Sequence, residues 1–442
     1  MDIKLITPFD IVYSIILFFI ILGYANSIKQ KNIGNKPYYK NFTKGLIVKL
    51  FGGILFCLIY ALYYNGGDTV NYYLGVHAMW SVFLDSPIAY VKILLEDNPS
   101  VIWNIFSNVQ EYPPAYMVRD MRTFNVIKFS SLIGLSGLGG FLSTTILVSY
   151  FTYRWVWKLY SFLVEKYSNS LRKINWCILF LPSTIFWGSG IMKDTYTFAA
   201  TCYAVYGLQQ FFIQRKRINS TIIQLILAFY LIFTIKPYIA FALLPGLIIY
   251  ANFERVKRIR SIFIKIFALL IFLIIGSLFL NTLFIDFDEM FGKYSADRIL
   301  EEAAIQNADL QRDVYGSNSF DIGEVEPTLK GAISKFFPAI NAALFRPFIW
   351  EAGGSPTMIF SGLETTLILI LAMRTLLKGP VRFIRNTVSD PFLLFCLLFT
   401  LILGFGVGLS TSNFGALVRY KIPYLPFFIL LLLLSHKKRV KS

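Results

Sequence analysis

The chain has 442 residues, of which 56% are hydrophobic, 17% aromatic and only 15% charged. That balance excludes an ordinary soluble domain, and apolar runs of roughly 20 residues, enough to span a bilayer, recur along its length. The formal charge of +17 does not point to nucleic acid, because Lys and Arg gather in short connections between apolar segments, the pattern that sets membrane topology.

In chain order, about eleven spans are predicted: 8–27, 46–64, 127–153, 174–190, 194–213, 220–235, 237–252, 261–283, 355–376, 390–408 and 421–436. The expected fold is therefore all-α, a polytopic helical membrane protein forming one integral-membrane domain over 1–442. The first segment has a competing reading as a signal peptide, with Ala25-Asn26-Ser27 after its apolar run. The lysines that follow, Lys29, Lys31, Lys36, Lys40 and Lys44, oppose translocation and favour a retained span.

Basic connections then alternate along the chain: Arg154 to Lys173, Arg215-Lys216-Arg217, Arg255 to Arg260, Lys378 with Arg382 and Arg385, and the tail Lys437-Lys438-Arg439. This alternation puts the N-terminus outside and the C-terminus in the cytoplasm. Composition suggests a bacterial inner membrane.

Two long loops are expected outside, 65–126 and 284–354. In the first, Tyr73, Val76, Trp80, Phe83 and Leu84 recur at helical spacing, as in a helix lying along the interface with its apolar face down. The second carries acids at Asp286, Asp288, Glu289, Glu301 and Glu302, a helical stretch at 297–310 and a glycine-containing part at 315–325. Loops this long are seldom mere connections. Gly134, Gly137, Gly139 and Gly140 suit close helix approach.

Ionisable groups at membrane depth are costly and mark function. Asp68, after Gly66-Gly67, is placed to take a proton from an attacking hydroxyl, as a general base. Its competing reading is an N-cap. Lys193-Asp194 opens a span, where a helix N-terminus and an ammonium together suit a phosphate. A capping Asp194 beside a snorkelling Lys193 explains the same pair. Arg346 is suited to hold a diphosphate bidentately with Glu351 orienting it, against the alternative of an internal Arg346–Glu351 salt bridge. Glu364 lies deep in a span and requires a partner there. Arg419, with Lys421, adds positive charge on the face otherwise poor in it. Arg119, Asp120 and Arg122 form a further outer cluster.

The four cysteines (Cys57, Cys177, Cys202, Cys396) lie in apolar segments, and the two histidines show no ligand spacing. P-loop, GxGxxG, GxSxG and HExxH motifs are absent from the sequence. No cofactor or metal is expected, although a divalent ion would leave no legible trace here.

The stretches GGDTVNYY, WGSGIMKDTYTFAA, LFRPFIWEAG and NFGALVRYKIPYLPF resemble the GT-C-type integral-membrane glycosyltransferases, among them polysaccharide polymerases of the Wzy and EpsG kind. The resemblance covers the layout of most of the chain but only these stretches in detail, and it needs one additional N-terminal helix. It implies a polyprenyl-(di)phosphate-linked sugar donor and a glycan acceptor at the outer leaflet, with Asp68 at the position of the catalytic acid. Lys193, Arg346 and Arg419 would then meet the phosphate, with Asp194, Glu351 and Glu364 in support. The rival readings are a flippase or transporter of lipid-linked oligosaccharide, and a structural subunit working with envelope-assembly partners.

Overall fold

The computed structural model describes residues 5–107, 109, 111–214, 218–252, 298–312 and 319–435. The expected span at 261–283, the basic runs at 215–217 and 255–260, the acids at 286–289, the glycine-containing part up to 318 and the basic tail lie outside them. The described residues are α-helical, with 3-10 and π turns and no strand beyond an isolated bridge. Five of their helices are long and apolar enough to cross a membrane, or up to seven if each of two bent pairs is one span. The chain is thus an all-α protein with the helices of a membrane protein.

Two compact units make up the fold: 1–206 with 224–236, and 207–223 with 237–442. In the first unit, α1 (Pro8–Ile33), α2 (Lys40–Leu58) and α8 (Phe141–Lys166) pack together, and α3 (Asp68–Asp85) packs on α7 (Met121–Gly134). Between them run α4 (Pro87–Leu95), α5 (Pro99–Phe106) and α6 (Ala115–Arg119). After α8 come the short α9 (Leu171–Ile174) and α10 (Pro182–Phe186), then α11 (Lys193–Gln209) and α12 (Ile218–Ile235).

Three sequence expectations change here. The expected span 127–153 is two helices meeting at 109°. Leu138 and Gly139 at the corner adopt φ of 51° and 70°, the left-handed region that ends a helix. The corner is closed by a residue far away in sequence: Asp10 of α1 accepts from the backbone N–H of Leu142 (2.8 Å) and Ser143 (3.0 Å), capping α8, which has no local side-chain cap. The stretch 174–190 is α9, a π turn and α10, interrupted at Pro182, rather than one helix. Finally, α3 packs part of the face expected on an interface against α7, while Leu84 stays exposed. Tyr73 and Val76 are buried, and Gly75 leaves no room for a Cβ against Ile127.

In the second unit, α13 is Pro237–Ala251, α14 Ile299–Asp309, α15 Leu329–Ser334, α16 Phe336–Phe345, α17 Pro356–Leu377, α18 Pro380–Ser389 and α19 Pro391–Ser410. The last span is bent by 64° between α20 (Phe414–Tyr420) and α21 (Leu425–Leu434). Helix α19 is the hub, packed by α13, α14, α16, α18 and α21. Phe392, Phe395 and Phe399 fill its inner face, with Phe427 of α21 set edge-on to the last two at 5.6 Å. The helix expected at 297–310 is α14. Asn307 donates to Leu409 O (3.0 Å) and its own carbonyl accepts from Ser412 Oγ (2.5 Å), dressing the backbone freed where α19 ends.

Candidate functional site

The first unit gathers charge around the start of α11. The segment leading to it, 182–192, is cradled by one face of α2 on which Lys49, Gly52, Gly53 and Phe56 recur at helical spacing. Lys49 Nζ donates to Gly188 O and to Ser189 Oγ (3.3 Å). A Cβ on Gly52 would stand 2.4 Å from Ile185 O, and one on Gly190 2.3 Å from the Phe56 ring. These contacts hold WGSG against α2 and deliver Lys193-Asp194 to a fixed place.

The two neighbouring charges then part. Asp194 turns inward to Lys236 (2.5 Å), the pair only 3% and 6% exposed. Lys193 stays partly exposed and reaches Asp120 (3.3 Å), which caps α7 through the Arg122 N–H (3.1 Å). Burial alone pushes the Asp120 carboxyl up. The Lys193 ammonium and the hydrogen bonds from Thr123, Lys193 and the Arg122 N–H outweigh it, and the group sits below its ordinary value.

Asp68 is exposed at the first position of α3. Gly67, at φ 101°, occupies the cap position with the Tyr60 ring where a Cβ would lie, so capping does not account for Asp68. Its neighbour is Tyr116 on α6. Burial and then the negative charge of Asp68 raise the Tyr116 phenol, while Asn71, one turn after Asp68, donates to its oxygen at 2.9 Å. Tyr116 and Asp120 are about 6 Å apart along one short helical turn. The segment 115–120 therefore touches the surroundings of Asp68 at one end and Lys193 at the other.

The second unit holds the other candidates. Arg346 is bound bidentately by Glu351, Nη2 to Oε1 at 2.6 Å and Nε to Oε2 at 3.1 Å, and Glu351 also accepts the Phe348 N–H (2.9 Å). Its guanidinium lies over the rings of Phe320 (4.6 Å) and Phe414 (5.5 Å). The internal salt bridge weighed for RPFIWE is present. Lys421, buried at the bend between α20 and α21, donates to Arg346 O (2.6 Å) and feels the charge of Glu364 on α17. Arg419 donates to Gly415 O (3.1 Å) one turn back.

Asp68, Lys193 and Asp194 thus belong to the first unit, and Arg346, Glu351, Glu364 and Arg419 to the second. Lys49, Lys236 and Tyr116 escaped the sequence reading as site residues. For Lys49 a signal existed, a lysine inside an apolar run followed at three and four residues by glycines. Among the described residues no group of three His, Cys, Asp or Glu is arranged to hold a metal. No protein-family model, curated protein or solved structure matches the chain.

Proposed function

We propose that the chain is a membrane glycosyltransferase or polymerase of the GT-C kind, acting on polyprenyl-(di)phosphate-linked sugars at the outer face of a bacterial inner membrane, in cell-surface polysaccharide synthesis. One observation carries the reading: the segment 115–120 lies beside a surface carboxylate, Asp68, at one end and a reachable ammonium, Lys193, at the other. Sugar transfer from a lipid phosphate needs that pair. The acceptor hydroxyl gives its proton to Asp68 as its oxygen bonds the anomeric carbon, and the bond from that carbon to the phosphate oxygen breaks. The departing lipid phosphate takes up the electron pair, and Lys193 meets its charge. Arg346, paired with Glu351, and Arg419 belong to the second unit, and this reading rests on Asp68 and Lys193 alone. Asp194, held by Lys236, fixes the start of α11.

The test is glycan synthesis by membranes carrying Asp68→Asn or Lys193→Ala, with insertion checked by protease protection. Each substitution is expected to abolish product, and wild-type product from both removes the assignment. The buried Asp194–Lys236 pair favours a second reading, a flippase for lipid-linked oligosaccharide, since transporters keep charges inside the apolar bundle. Translocation in reconstituted vesicles with no change in glycan length would establish that alternative.

A further inference from the structure

Helix α18 follows the apolar α17 after Lys378 and Gly379, and it is built unlike either neighbour. Phe383, Asn386 and Thr387 face the protein, where Thr387 is fully buried and Asn386 Nδ2 donates to Ser435 O (2.6 Å). The outward half divides lengthwise. Val381 (77% exposed) and Ile384 (58%) form an apolar edge, continued before the helix by Leu377 (86%). Arg382 and Arg385, both exposed, form the adjoining edge, with exposed Arg374 and Lys378 just upstream. Apolar side chains this exposed, beside four cations and at the end of a helix long enough to cross a membrane, fit a surface that is greasy below and negative above.

We propose that α18 is an interfacial anchor that binds anionic lipid headgroups, its Val381–Ile384 edge in the acyl region and its Arg382–Arg385 edge on lipid phosphates. The occupant follows from charge complementarity and from continuity with α17, and the proposal does not depend on the glycosyltransferase reading.

The native cysteines are all buried, so an Ile384→Cys variant of the full chain can carry a fluorophore at that position alone. In phosphatidylglycerol/phosphatidylcholine vesicles the label is expected to be quenched by brominated acyl chains and shielded from aqueous iodide, whereas a label at Arg382→Cys is reached by iodide. Equal access of iodide to both positions overturns the anchor. In a second measurement, Arg382→Gln/Arg385→Gln is compared with wild type for phosphatidylglycerol retained against phosphatidylcholine. With each arginine near the surface contributing about fivefold, the double variant is expected to lose preference by roughly 25-fold. An unchanged preference overturns the headgroup site.

Discussion

Asp194 and Lys236 share one hydrogen bond of 2.5 Å in surroundings that exclude water. Removing one partner of such a pair strands the other charge, at a cost of about 3–5 kcal/mol, whereas replacing both by apolar groups is close to neutral. Lys236→Met alone should therefore lower the thermal midpoint of the detergent-solubilised protein sharply, and Asp194→Leu/Lys236→Met should restore most of it. A single variant as stable as wild type would show that the pair does not hold the unit together. The sequence marks Lys193-Asp194 as unusual because two charges interrupt an apolar stretch. It does not show where they go, since Asp120 lies 73 residues before Lys193 and Lys236 lies 42 after Asp194. No local periodicity links positions so far apart. Glu364 was in the same situation: burial was legible from its apolar neighbours, but its influence on Lys421 was not.

Helices meet in this protein through small residues. Gly408 of α19 sits where a Cβ would stand 2.0 Å from Ala339 O of α16, while Gly406, two positions earlier on another face, meets nothing within 4 Å. Gly408→Ala should thus destabilise by about 1–3 kcal/mol through overpacking. Gly406→Ala should be neutral or gain up to about 1 kcal/mol from helix propensity. Equal midpoints for the two variants would refute the close packing. Long apolar helices such as α12, α17 and α19 were legible because their run of hydrophobic residues is itself the signal. The 109° corner was not, although its glycines were noticed. Glycines announce freedom of the backbone, and the direction taken depends on what packs around them, here Asp10 and Trp80. Likewise, the helical spacing of Tyr73 and Val76 was read correctly as a helix. The sequence does not show what covers its apolar face, because that face looks the same whether lipid or another helix lies against it.

At the scale of the whole molecule, the basic connections propose an orientation that labelling can check. Asp85, Asp321, Lys31 and Lys378 are exposed, and the native cysteines are buried. Variants with one added cysteine, in spheroplasts, should react with an impermeant maleimide at positions 85 and 321, and at 31 and 378 only after lysis. The reverse pattern would invert the proposed topology and with it the outward-facing site. The Asp10 cap on α8 bears on the order of synthesis. The carboxylate is made 132 residues before the first amide it receives, so the cap forms only once the corner it closes has followed. A peptidase cutting after Ser27 would remove that carboxylate, and α8 would be born with its first amides unanswered.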